Sequence, residues 1–460
     1  MSKWPEFLQS GETARLIPVV ADSKKEQRTT SVVLAAMIGV YEFRQTMLGS
    51  LGIRVGNRAN LHAWTEVTFV EGPKGRDKIA KKDRPDGLLV LETGKKKWTA
   101  LIEAKVGNAE VGDEQLKEYL KQAKHHKIDA VITITNQFVA LPTHHPVKVQ
   151  KNLTRGIKLF HWSWTYILTQ ATLLLEGDEI ESQDQQFLLE EVVRYLSNDS
   201  SGISRFDSMN RKWKDVVGKV KSNAPLNKTS EEVANTVSSW HQEQRDLCLV
   251  MSRELGRTVK LRLSRSHRTD PQKRLRDDID VLVRSKILNC ELEIPHAAAV
   301  LNVTADLATR TIVCSMHLDA PQDKKRTSAR VNWLTRQLSG IEFNDIYIKA
   351  LRPGRAEETQ ATLEDILNNP EALSSETTDV VPKSFEVFYM VDLAGKFSGS
   401  KVFIEELERA VPHFYEQAGQ KLRAWIAPPP KIRRTEKEAS DKEKKESKQD
   451  EVVKSVGNES

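Results

Sequence analysis

Residues 84–120 read RPDGLLVLETGKKKWTALIEAKVGNAEVGDEQLKEYL, and the placing of apolar, acidic and basic side chains along them decides the fold. Asp86 opens an apolar run of strand length, Leu88 to Leu91. Gly94 and three lysines then predict a hairpin turn into a second run, Trp98 to Val106. Side chains alternate between the faces of a strand, so Glu103 and Lys105 project to one side while Ala104 packs to the other. Neighbouring strands thereby bring two carboxylates and an ammonium group together. Asp86, Glu103 and an adjacent backbone carbonyl are hard oxygen donors. They suit Mg²⁺, which keeps several waters and binds through one or two carboxylates plus substrate phosphate. A helix follows, with Gln115 and Tyr119 four apart and therefore on one face. The plain alternative is a solvated strand face and two exposed helix residues.

Outward from this stretch, residues 29–49 (TTSVVLAAMIGVYEFRQTMLG) predict a helix capped by Thr29 or Thr30 and stopped by Gly49, with Val33, Met37 and Val40 on its buried face. LHAWTEVTFV, residues 61–70, alternates as a strand. IDAVITITN, residues 128–136, predicts a buried strand, and GIKLFHWSW, residues 156–164, another. The order is helix, strand, strand, strand, helix, strand. Within the turn-rich segment of residues 71–87, the span 74–84 carries Lys74, Arg76, Lys78, Lys81, Lys82 and Arg84 against only Asp77 and Asp83. Positive charge beside a phosphodiester site contributes sequence-independent affinity for a polyanion. A solvated hairpin loop is the other reading.

Pro85-Asp86 followed by Glu103-Ala104-Lys105, set in this αβββαβ order, resembles the PD-(D/E)xK, or restriction-endonuclease-like, phosphodiesterase superfamily across about residues 28–165. Gln115-x-x-x-Tyr119 after the lysine resembles its exonuclease V-type branch, in which that pair helps position the active site and DNA. The resemblance implies catalysis by Asp86, Glu103, Lys105, Gln115 and Tyr119, with Mg²⁺ or Mn²⁺ held by Asp86 and Glu103. It also implies an acid on the first helix that contacts the metal or its water, here Glu42, for which a surface glutamate is the ordinary reading.

Length and composition set the bounds. A chain of 460 residues, 39% hydrophobic and of negative mean hydropathy, has room for two or three domains. The longest apolar run, near Val32 to Val40, is far shorter than the ~20 residues a bilayer needs. The start, MSKWPEFLQSGETARL, lacks the apolar core of a secretory signal. Cys248, Cys290 and Cys314 show no CxxC spacing, so neither a disulfide framework nor a zinc site is indicated, and a reducing cytoplasm fits. A net charge of +6 permits nucleic-acid binding without requiring it. His125, His126, His144, His145 and His161 are not spaced as a zinc motif and predict exposed or capping side chains.

Beyond the motif region, residues 183–222 predict helices that brace the core, and SNAPLNK, residues 222–228, predicts a boundary. A second half follows. It opens on a helix, continues through strand-like runs including VKLRLSR, IDVLVRS, LNCELEIP, RTIVCSMHL and SFEVFYMVDL, and closes on a long helix despite Pro412. Asp278, Asp280, Glu291 and Glu293 alternate on strands in this reading, without a lysine to complete a second site. Residues 265–276 and 323–333 are basic and loop-like, candidates for duplex or partner contact. From Pro428 the composition is that of a disordered charged tail.

The expected fold is α/β: a restriction-endonuclease-like αβββαβ core in residues 1–222 with a helical extension, then an α+β domain with a mostly antiparallel sheet in residues 228–427, then a tail at 428–460. The expected activity is Mg²⁺-dependent hydrolysis of phosphodiester bonds in nucleic acid, DNA before RNA, in a soluble cytoplasmic protein without a membrane span. Protein partners or a homo-oligomer through the second domain are left open. The alternative is a non-catalytic nucleic-acid-binding or scaffold protein on the same fold.

Overall fold

Strand alternation and helix periodicity resolve into two sheets and twelve α-helices among the described residues, which in this computed structural model are 4–21, 23–69, 84–150, 152–341, 345–427 and 429. The first half runs β1 (Leu8–Thr13), α1 (Lys25–Gly39), α2 (Tyr41–Ser50), β2 (Asn60–Phe69), β3 (Gly87–Thr93), β4 (Lys96–Ala104), α3 (Asp113–His125), β5 (Ala130–Thr135), β6 (Lys158–Ser163), α4 (Trp164–Glu176) and α5 (Gln183–Leu196). Its strands lie in chain order across the sheet. β1 to β4 pair antiparallel, and β4, β5 and β6 pair parallel, with α3 as the crossover that a parallel β4–β5 pair requires.

Both faces of this sheet are covered. Leu89, Leu91, Ala100, Ile102, Ile132 and Ile134 pack in one core with α1, α2, α4 and α5. Leu88, Val90, Leu101 and Val131 pack in a second core with Leu116, Tyr119 and Leu120 of α3. Burial on both sides is why β3 and β5 read as continuous apolar runs.

The second half runs α6 (Trp213–Lys221), α7 (Glu231–Leu255), β7 (Lys260–Leu261), α8 (Arg265–Thr269), α9 (Pro271–Ser285), β8 (Ile287–Glu293), β9 (Leu301–Asp306), β10 (Thr311–Asp319), α10 (Thr327–Thr335), β11 (Ile346–Leu351), β12 (Thr359–Thr362), α11 (Leu363–Asn368), β13 (Ser384–Asp392) and α12 (Ser400–Gln417). Its sheet has the order β12-β11-β13-β10-β9-β8-β7, and every pairing among the described residues is antiparallel. Hydrophobic packing changes hands earlier than residues 222–228. Met209, Trp213, Val216, Val220 and Leu226 are buried in the second half's core, whereas Ile203 packs against the first.

Several expectations are corrected. The helix expected at 29–49 is two helices, broken at Val40, whose backbone is extended (φ −114°, ψ 112°). Thr29 and Thr30 cap nothing, because α1 begins at Lys25; the Thr30 hydroxyl donates to the Glu26 carbonyl one turn back at 2.8 Å. IDVLVRS is the end of α9, not a strand, so Asp278 and Asp280 are helical. Residues 265–276 form α8 and the start of α9, where Asp270 accepts from Lys273 N and Pro271 opens the helix. VKLRLSR keeps only Lys260–Leu261 as strand, and residues 327–333 belong to α10. His144 and His161 are buried, not exposed: His144 bonds the Arg268 carbonyl at 2.8 Å, and the Thr133 hydroxyl lies 2.8 Å from both His145 and His161. Pro412 is accommodated inside α12. Lys74, Arg76, Lys78, Lys81, Lys82 and the charged tail lie outside the described residues. No helix among the described residues is long and apolar enough to cross a membrane.

Candidate active site

Asp86 sits just before β3, and Gly87 after it lets the strand start against α1. A Cβ on Gly87 would lie 2.9 Å from Leu34 Cδ1, 3.2 Å from the Trp64 carbonyl oxygen and 3.3 Å from Ile102 Cβ. Asp86 Oδ2 accepts from Ala104 N at 2.8 Å, which ties it to the end of β4 beside Glu103 and Lys105. Ala104 packs into the core under α1, and Glu103 turns to the α3 face. The alternation read from the sequence therefore holds at this strand end.

Glu103 is 1% exposed. Its Oε1 accepts from Lys105 Nζ at 2.6 Å and from Gln115 Nε2 at 2.7 Å, whereas its Oε2 is buried without a partner. Gln115 Nε2 also donates to the Tyr119 hydroxyl at 2.8 Å, and that hydroxyl lies 3.3 Å from the Arg84 carbonyl oxygen. Gln115 and Tyr119 thus reach the acid from one face of α3. Lys105 Nζ further donates to the Ala104 carbonyl at 3.0 Å and to Glu26 Oε1 at 3.1 Å. Arg84 is exposed beside the site.

Burial first, and then mutual repulsion with Glu103, raises the pKa of Asp86 well above the usual carboxylate range. Burial also raises that of Glu103, against the pull of Lys105. Lys105 responds in the opposite sense. Burial works against its charge, but Glu103, Asp86 and Glu26 outweigh it and lift its pKa, so it stays an ammonium ion. The Tyr119 phenol is raised by burial and by Glu103, and remains a hydroxyl.

A hollow of about 520 Å³ opens beside this cluster at Asp86, lined also by Lys24, Lys25, Glu26, Glu66 and Gly202 among others. Glu42 is not part of it. It lies on α2 near Arg44, because the break at Val40 separates α2 from the helix that reaches the site. The helix acid that does reach Lys105 is Glu26, in the first turn of α1. Its signal was present in SKKEQR, a run of helix formers that carries the helix one turn ahead of Thr29. Glu66 is a second acid the sequence reading missed. It sits where the β1–β2 pairing slips, at φ +52°, and its amide donates to the Asp86 carbonyl at 3.2 Å. Such a slip leaves no mark in composition. A larger hollow of about 940 Å³, between residues 16–18 and α5, has mainly apolar walls such as Ile17, Phe187 and Val192, and no acid–lysine constellation.

No group of three or more His, Cys, Asp and Glu side chains poised to hold a metal occurs among the described residues. What the site offers is two carboxylates, one with a buried oxygen that lacks a partner. That donor set fits a hard divalent cation that completes its shell with water and phosphate. Compared with protein-family models, curated proteins and solved structures, the chain matches none.

Proposed function

We propose that this chain is a metal-dependent nuclease of the PD-(D/E)xK kind, with DNA as its substrate. One observation carries the reading: Asp86 lines an open hollow and is tied through Ala104 N to the strand end that bears Glu103 and Lys105, with Glu103 Oε2 buried and without a hydrogen-bond partner. A buried carboxylate oxygen without a hydrogen-bond partner is costly in a purely structural network, and beside Asp86 it can serve as a donor to a cation.

Asp86 and Glu103 would hold Mg²⁺ or Mn²⁺. What such a cation supplies when bound is polarisation of the scissile phosphate and a coordinated water of lowered pKa. Lys105, ion-paired with Glu103 and Glu26, is held as an ammonium ion whose role is to offset negative charge developing on the phosphate. Gln115 fixes the Glu103 rotamer, and Tyr119 fixes Gln115.

The test is incubation of the purified chain with circular single-stranded DNA, supercoiled plasmid, linear duplex and structured RNA, each with Mg²⁺, Mn²⁺ or EDTA. DNA cleavage that EDTA abolishes is expected. Asp86→Ala and Glu103→Ala should lose it, and Lys105→Ala should lose roughly a hundredfold to a thousandfold in rate. Cleavage that survives in folded Asp86→Ala and Glu103→Ala would refute the site. Binding without cleavage on any substrate favours the scaffold reading, and cleavage confined to RNA redirects the substrate.

A further inference from the structure

One wall of the hollow beside Asp86 belongs to the connector that leaves α5 for the second half. Gly202 lines it, at φ +77°, with the position of a Cβ only 2.9 Å from Val106 Cβ. Its carbonyl accepts from Gly107 N at 2.8 Å, just past Lys105. One side chain holds this arrangement together. Asn136, at the C-terminal end of β5, donates from Nδ2 to the Gly107 carbonyl at 2.9 Å and to the Gly202 carbonyl at 3.0 Å, while its Oδ1 accepts from Ser204 N at 3.1 Å. The connector is also tied to α1, where the Thr29 hydroxyl donates to the Ser201 carbonyl at 2.9 Å, one turn after Glu26. Two residues after Ser204, Phe206 N donates to Asp246 Oδ2 of α7 at 2.9 Å, so the same strap is anchored in the second half.

We infer that Asn136 is a positioning residue for the nucleic-acid substrate: its amide clamps residues 202–204 of the connector to the ends of β4 and β5 and so sets the width of the hollow in which the scissile phosphate lies. The inference rests on the nuclease reading. Its chemistry is specific to a primary amide at this position, because two carbonyls need two N–H donors and one backbone amide needs an acceptor. An aspartate keeps the acceptor and turns its charge on both carbonyls. The hydrogen bonds of Asn136 go to Gly107, Gly202 and Ser204 and not to Asp86, Glu103 or Lys105, so it acts through the wall.

The test compares wild type with Asn136→Ala, Asn136→Asp, Asn136→Gln and Gln242→Ala on a short DNA substrate with Mg²⁺. Gln242 accepts from Phe138 N at 3.4 Å and holds the same turn away from the hollow, so its variant controls for loosening of the turn itself. Asn136→Ala and Asn136→Asp should raise KM roughly fivefold to tenfold with kcat within about twofold, a loss of binding in ground and transition state alike. Asn136→Gln, which restores both donors, should recover part of that loss, and Gln242→Ala should keep the wild-type KM. Wild-type KM in folded Asn136→Ala, or an equal rise in Gln242→Ala, overturns the inference and leaves the nuclease reading intact. Absence of metal-dependent cleavage by the wild-type chain defeats the nuclease reading, and the inference with it.

Discussion

Removing the Lys105 ammonium would leave the buried Glu103 beside Asp86 and the part-exposed Glu26 without the cation they share. Lys105 Nζ is a cation within 3.1 Å of both Glu26 and Glu103, and its pull opposes the burial that raises the Glu103 pKa. Lys105→Met should therefore cost on the order of 3 kcal/mol, the low end for breaking a buried pair. Thermal unfolding in EDTA would register it, and added Mg²⁺ should restore part of the loss by binding the acids left without their lysine. The same Mg²⁺ should do nothing for Lys105→Met combined with Asp86→Ala. Equal melting temperatures for wild type and Lys105→Met would mean that the acids are balanced by something else. At this scale the sequence was informative for Asp86, Glu103, Lys105, Gln115 and Tyr119, since spacing alone places them on a strand end and a helix face. Glu42 is the exception, because Val40 breaks the helix that the apolar pattern of residues 29–49 predicts.

The elements that carry the site meet at Gly87, where α1 lies so close to β3 that Leu34 Cδ1 and the Trp64 carbonyl leave no room for a methyl group. Gly87→Ala should destabilise the chain by about 1–3 kcal/mol through forced displacement of packed neighbours. A lower denaturant midpoint at unchanged m-value would show this. Leu34→Val on the same background should give back part of the loss, because the nearest atom is at the far end of that side chain; strictly additive effects would contradict the close approach. β2 to β6 were legible because runs such as Leu88–Leu91 and Ala130–Thr135 combine strand length with bounding turns. β1 was not, because LQSGET is a largely exposed edge strand without an apolar pattern. In IDVLVRS the β-branched residues suggested a strand, yet Ile279 and Leu282 are three apart on the buried side of α9. The start of that helix was written in Asp270-Pro271, an N-cap followed by a first-turn proline.

Across the whole molecule, the two halves are joined where α7 runs between their cores, and this joint holds charge that the sequence could not reveal. Arg253 of α7 donates to Thr169 of α4 at 2.7 Å, and Arg245 lies over the Tyr166 ring. Deeper in, both carboxylate oxygens of Glu243 are buried without partners, near Asp246 of α7 and Glu408 of α12. Burial and those neighbours hold Glu243 well above the ordinary carboxylate pKa. Burial pushes Asp246 up to about 6 against the bond from Phe206 N, and burial with Asp246 pushes Glu408 up to about 7. In the unfolded chain all three titrate near ordinary values, so the folded chain keeps its protons to higher pH. The stability they contribute is full below the unfolded pKa and is lost as pH rises through about 6 and then about 7. The melting temperature should accordingly fall from about pH 5 to about pH 8. Glu243→Gln removes the group most deeply committed to staying neutral. It should flatten that slope and raise the melting temperature on the alkaline side, where the unfolded wild-type chain ionises Glu243 and the folded chain must hold its proton. If Glu243→Gln keeps the wild-type slope, or is less stable at both ends of the range, the joint already provides Glu243 with a charge partner and the pH dependence arises elsewhere.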